Sequence, residues 1–181
     1  MRLACLAGLV LWALWTCAAS AQNLPAAFKA GPLIDAYGPA ADVPGAPPLP
    51  DELALKVRFD IADGGEPGAV NRRFVTAARF LNMHARAGMP ADAMAVALVV
   101  HGGATVELTE AAYAERKDAE NANIDLLRTL MRHGVRVIVC GQSAAANGLT
   151  AGDFLDGVEM SLSAMTAHAL LRRQDYGLNP F

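Results

Sequence analysis

Two short apolar runs constrain this chain more than any other feature: Ala93–Val100, and Val135–Cys140, which only Arg136 interrupts. Each has the length of a strand, and neither has a polar face. A strand of that kind is buried on both sides, as the central strands of a helix-covered parallel sheet are. The segments around them fit such a sheet. Leu53–Ile61 alternates, with Leu55, Val57, Phe59 and Ile61 on one face. Val70, Phe74, Ala77, Ala78, Leu81 and Ala85 recur at helical spacing, from a start at Pro67 to a stop at Gly88. Asn123–His133 reads as a helix with Ile124, Leu127, Leu130 and Met131 on one stripe, and Gly134 at the position where left-handed caps fall.

The remaining segments are shorter. Thr105–Asp118 is charged and weakly periodic, which suggests helical turns over the surface. Gln142–Asn147 is a short helical turn ended by Gly148, and Val158–Met160 a short strand. Ser161–Arg173 reads as a helix with Leu162, Met165, Ala169 and Leu170 inward. Tyr176–Phe181 closes the chain as a last strand or edge segment. Strands alternating with helices predict an α/β fold with a mostly parallel sheet and right-handed crossovers.

The N-terminus has a different purpose. Arg2, the apolar stretch Leu3–Trp15 and the small residues Ala19-Ser20-Ala21 follow the order of a secretory signal peptide. The apolar run is shorter than the ~20 residues of a membrane anchor. Residues 1–21 are therefore expected to be removed, giving an exported protein with no membrane attachment. Cleavage takes Cys5 and Cys17 away and leaves Cys140 as the one thiol, so no internal disulfide can form. Residues 22–50 hold seven of the ten prolines. That density excludes a regular helix or central strand and predicts an extended arm, docked on the domain or a neighbouring subunit, or a loose linker. Residues 51–181 form the folded domain.

Formal charge is −3 for the whole chain. Without a basic excess, nucleic acid is not an expected partner. No glycine-rich nucleotide loop is present, so no cofactor is expected. His84, His101, His133 and His168 lack the spacing of a metal site. His84 and His133 sit near helix C-termini, where the dipole favours them, and His168 is expected at a helix surface or interface.

Chemistry is expected at the carboxyl ends of the strands, where open α/β sheets bind ligands. His101 closes one apolar strand and Cys140 the other. Cys140 precedes the turn Gly141-Gln142-Ser143, whose N–H groups favour an anion. A free thiol titrates near ~8.5, and a helix start can lower that to roughly 3.5–7.5. Ser143 is placed to donate to the sulfur, and His101 to orient it or act as a general base. Gly102, Gly141 and Gln142 are candidate binding groups. A Cys–His hydrolase would need a third, orienting residue, and none is evident. A buried thiol that simply packs is the competing reading.

Val99-Val100-His101-Gly102-Gly103, Asn121-Ala122-Asn123-Ile124-Asp125-Leu126-Leu127 and Cys140-Gly141-Gln142-Ser143 together resemble the DsrE/DsrF-like family, with its sulfur-relay proteins of the TusBCD and YchN type. The likeness spans roughly residues 53–181. It implies a three-layer α/β/α sandwich around about five strands, assembly as a homo-oligomer (trimer or hexamer), and a sulfur-carrying cysteine at Cys140. It also adds Asn123 to the candidate binding residues. The leading expectation is a periplasmic sulfur carrier or sulfurtransferase that holds sulfane sulfur as a persulfide on Cys140, with sulfur donor and acceptor proteins as partners. The alternative is a non-catalytic module for small-ligand binding or oligomeric assembly, with a structural or redox-sensing Cys140.

Overall fold

The computed structural model describes residues 25–181; the expected signal segment, with Cys5 and Cys17, lies outside the described residues. Two short strands, β1 (Phe28–Lys29) and β2 (Ala40–Ala41), pair antiparallel in the Pro-rich stretch. The domain then runs β3 (Leu55–Ile61), α1 (Arg72–Arg86), β4 (Met94–Val100), α2 (Ala111–Lys117) and α3 (Ile124–Arg132). It continues through β5 (Arg136–Cys140), α4 (Gly141–Ala146), β6 (Glu159–Ser161), α5 (Ala164–Arg173) and β7 (Gly177–Asn179). The five strands form one sheet in the order β6-β5-β4-β3-β7, and every neighbouring pair is parallel.

Helices cover both faces, which makes the expected three layers. On one face, Phe59, Ile61, Val96, Leu98, Val100, Val137 and Val139 meet Phe74, Ala77 and Leu81 of α1 and Leu126, Leu127 and Leu130 of α3. Each Leu- or Phe-sized side chain buried there contributes about 1.5–3 kcal/mol. The other face is thinner: Ala97, Val99 and Ile138 pack on Ala167 and Leu171 of α5.

Three local expectations need correction. Helix α1 starts at Asn71, not Pro67: the Asn71 side chain accepts the Arg73 N–H at 2.9 Å, while Pro67 lies in the preceding turn. A side-chain cap satisfies a donor that proline can only remove. The segment after β4 is not a surface run. A 3₁₀ turn over Gly102–Leu108 buries Ala104, Thr105, Glu107 and Leu108, and α2 buries Tyr113. Its charge misled because Glu107 is paired inside: Oε1 accepts the Gly65 N–H at 2.6 Å and Oε2 the Asn71 amide at 2.6 Å. Helix α5 presents the opposite face to that expected. Leu162, Met165, Ala169 and Leu170 are exposed, and Ala167 and Leu171 are buried. The small Ala167 fits against Ala97 at the sheet, which the bulkier stripe would not.

The Pro-rich stretch lies along α1. Fully buried Asn82 accepts from the N–H of Ile34 at 2.9 Å and donates to the carbonyls of Ile34, Tyr37 and Gly38 at 2.8–3.0 Å. Ile34 and Ala40 of the same stretch are buried as well.

Candidate functional site

Cys140 is at once the last residue of β5 and the N-cap of α4. Its sulfur accepts the Ser143 N–H at 3.4 Å, so the thiol takes the role that a Ser or Asp oxygen usually has. Burial leaves Cys140 5% exposed and works against its anion. The Ser143 hydroxyl and the N–H groups of Ser143, Ala164 and Gln142 outweigh burial and hold the thiol below the ordinary cysteine range. With six residues, α4 is too short for a substantial macrodipole. The stabilisation therefore comes from individual hydrogen bonds at the sulfur, not from the helix as a whole.

The turn after β4 closes over the same place. Gly102 N–H donates to the Ser143 hydroxyl oxygen at 3.1 Å, which leaves the hydroxyl proton for the sulfur. Two glycines permit this approach. Gly102 has φ +54, and a Cβ there would lie 2.9 Å from the Ala62 carbonyl oxygen. A Cβ on Gly141 would lie 2.7 Å from the Ser161 carbonyl oxygen. Gln142 is further out, its amide 3.5 Å from the Leu162 carbonyl.

His101 lies one residue beyond the Val100–Val139 pair on β4, as Cys140 does on β5. Alternation puts both side chains on the α5 face of the sheet, with Val99 and Ile138. Its Nε2 is 3.0 Å from Asp60 Oδ1, and His168 Nε2 of α5 is 2.7 Å from the same oxygen. Arg58 Nε donates to His168 Nδ1 at 3.1 Å. Burial opposes the Asp60 charge, but the hydrogen bonds from His168 and His101 prevail and keep its carboxyl below the usual range.

The structure thus brings together Cys140, Ser143, His101, Gly102, Gly141 and Gln142. It does not bring Asn123. That side chain is fully buried, accepting the Asn71 N–H at 2.7 Å and donating to Asn121 at 3.0 Å. It ties the start of α3 to the Glu107 turn. Sequence reasoning missed Arg58, Asp60 and His168. The signal for Arg58 and Asp60 was present in β3, whose alternate positions oppose its apolar face. His168 had no such signal, because only the packing of α5 aims it at the sheet.

A groove of about 300 Å³ runs beside β5, between β6 and α5. Ile138, Ser161, Met160, Leu162 and Leu170 line it, and the Arg136–Glu159 ion pair stands at its rim. No cluster of metal-ligating side chains occurs among the described residues.

A sequence model of the DsrE/DsrF-like family matches residues 56–179. Among solved structures, a Methanobacterium thermoautotrophicum protein of unknown function, MTH1491, superposes with a TM-score of 0.53 at 19% identity, covering 70% of this chain and 99% of its own. The ychN protein of E. coli covers 70% of this chain and 100% of its own, with a TM-score of 0.49 at 18% identity. The first likeness supports the shared fold. Comparison with curated proteins gives no match.

Proposed function

Because the chain belongs to the DsrE/DsrF-like family, which is implicated in sulfur relay, we propose that Cys140 accepts sulfane sulfur and passes it on as a persulfide. The observation that carries this reading is the hydrogen-bonded sulfur: a thiol held below its usual range by the Ser143 hydroxyl and nearby N–H groups. Lowering a thiol in this way raises its thiolate fraction, and the thiolate is the nucleophile. In the transfer, the Cys140 thiolate attacks the outer sulfur of a donor persulfide. The new S–S bond forms as the donor's S–S bond breaks, and the electron pair leaves on the donor thiolate. The reverse displacement by an acceptor thiolate unloads Cys140. The same N–H groups that hold the thiolate suit the persulfide anion.

In this reading the protein is a sulfur carrier of the bacterial periplasm, exported by residues 1–21, and works with donor and acceptor proteins. A second copy of the chain covers the outer stripe of α5, where Leu162 is 71% and Met165 81% exposed beside Leu170. Exposed apolar side chains grouped in this way mark interaction surfaces.

The test is intact-mass measurement of the mature chain after incubation with polysulfide. The expected result is the gain of one sulfur atom, absent in Cys140→Ser and removed by a small thiol. A thiol that alkylates readily yet takes up no sulfur would overturn the persulfide reading and favour a module for binding or assembly.

A further inference from the structure

Four polar side chains meet on the α5 face of the sheet, the face that also carries Cys140: Arg58 and Asp60 of β3, His101 at the end of β4 and His168 of α5. All but Asp60 are largely covered, with His101 and His168 side chains about a quarter exposed at 27% and 22%. Four such groups have no part in the packing of an apolar layer, and their hydrogen bonds can be solved proton by proton.

Arg58 is always protonated, so its Nε–H donates and His168 Nδ1 must offer a lone pair. His168 is then neutral with its proton on Nε2, which donates to Asp60 Oδ1 at 2.7 Å. The Asp60 carboxylate has no proton to give, so His101 Nε2 also donates to Oδ1, at 3.0 Å. What remains is Nδ1 of His101, which makes no hydrogen bond among the described residues. It is the one ring nitrogen in the cluster free to take or give a proton. Strand register places this ring on the same face as the Cys140 sulfur, at the neighbouring strand end.

We propose that Asp60, held by His168, which Arg58 in turn orients, is a positioning residue that fixes His101 as the acid–base partner of Cys140. The inference rests on the sulfur-carrier reading and deepens it. The Cys140 S–H gives its proton to His101 Nδ1, forming a thiolate and an imidazolium, and the Asp60 charge stabilises the imidazolium through Nε2–H. After the thiolate has displaced the donor thiolate from its persulfide, the imidazolium returns the proton to that leaving group. One proton and one electron pair are accounted for at each step. A carboxylate that orients an imidazole in this way also selects its tautomer. Among the charged and titratable groups around His101, Asp60 of β3 meets it directly, His168 of α5 shares that carboxylate oxygen, Arg58 of β3 bonds His168, and Cys140 ends the neighbouring strand β5. The turn through Gly102 and the Ser143 of α4 contribute uncharged donors.

The sign of the effect separates this role from others. Acting directly on the sulfur, the negative charge of Asp60 would disfavour the thiolate, so Asp60→Asn would raise the thiolate fraction. Acting through His101, the same substitution lowers it. The experiment follows the ultraviolet absorbance of the thiolate against pH in the mature chain, which has one cysteine. The variants are Asp60→Asn, Asp60→Glu, His101→Gln and the double variant Asp60→Asn with His101→Gln. Circular dichroism checks that each is folded.

The expected result is a lower thiolate fraction at neutral pH in Asp60→Asn, with the thiolate-to-thiol ratio falling about tenfold for each unit by which the Cys140 pKa rises. Asp60→Glu restores the charge and recovers part of the loss. In the His101→Gln background Asp60→Asn has no further effect. Imidazole ¹⁵N shifts place the His101 proton on Nε2 in the parent chain. A thiolate fraction that rises in Asp60→Asn, or that falls equally with and without His101, would overturn the proposal. The sulfur-carrier reading fails separately: a chain with the His101 coupling intact that takes up no sulfur refutes that reading and leaves the coupling standing.

Discussion

At Cys140 and Ser143 a single hydroxyl decides the chemistry. Ser143 Oγ accepts from Gly102 and its proton is directed to the sulfur, so it joins two strand ends and tunes the thiol at once. Ser143→Ala is expected to move the Cys140 thiol up toward the ordinary ~8.5, read as thiolate absorbance against pH. Stability should follow. A thiol held below its unfolded value adds stability above that unfolded value and loses it as pH falls through the folded one. The parent chain therefore gains stability between neutral and mildly alkaline pH, and urea unfolding should show a smaller gain in Ser143→Ala. Glu107 behaves oppositely. Its burial raises the carboxyl above its usual range, against the hydrogen bonds from Asn71 and Gly65. Its proton is bound more tightly in the folded state, so stability is highest below the unfolded value and declines as pH rises through the folded one. Glu107→Gln should abolish that decline. It also sets an amide N–H₂ against a buried donor, with an expected loss of about 1–3 kcal/mol in urea unfolding.

At the scale of elements, α5 shows how much a helix depends on its neighbours. Its sequence carries two apolar sets, one with Met165, Ala169 and Leu170, which Leu162 just before the helix extends, and one with Ala167 and Leu171. Periodicity alone favours the bulkier stripe as the inward one. The sheet takes the other, because Ala97 opposite it leaves room for a close approach by Ala167. Leu171→Ala should accordingly cost about 2–5 kcal/mol, the range for emptying a buried leucine site. Leu170→Ala should leave unfolding of the protomer nearly unchanged. In the proposed assembly, Met165→Glu should lower the oligomeric state seen by light scattering while the melting of the fold is retained. Helix α3 gave no such ambiguity. Its stripe is flanked by charges, and its end is set by Gly134 N–H to Met131 O and Val135 N–H to Leu130 O at 3.0 Å each.

At the scale of the molecule, the N-terminal stretch and the site lie at different ends of the design. Asn82 holds residues 33–38 on α1, and Arg86 reaches the Ala30 carbonyl and Asp42. Tyr37 also donates to Asp125 at 3.0 Å at the start of α3. The stretch is thus a strap across α1 and α3, on the face away from α5 and the thiol. Asn82→Ala should release it: hydrogen exchange should quicken through residues 33–41, while the titration of Cys140 stays as it was. A change at Cys140 in that variant would show that the strap and the site are coupled.

Much of this was legible along the chain. The strands β3, β4 and β5, helices α1 and α3 and the parallel sheet follow from local periodicity, which reflects which side chains each element must bury. Cys140, Ser143, Gly102 and Gly141 could be picked out because a strand end followed by a glycine turn is itself a local pattern. What the chain order could not disclose was every relation between distant segments. Asp60, His101 and His168 are far apart in sequence, and only parallel register and the rotation of α5 bring them to one carboxylate oxygen. The buried place of Glu107, the inward stripe of α5 and the docking of residues 33–38 on Asn82 were decided in the same way. Local pattern determines what an element is, and packing across the sheet determines which of its faces meets which partner.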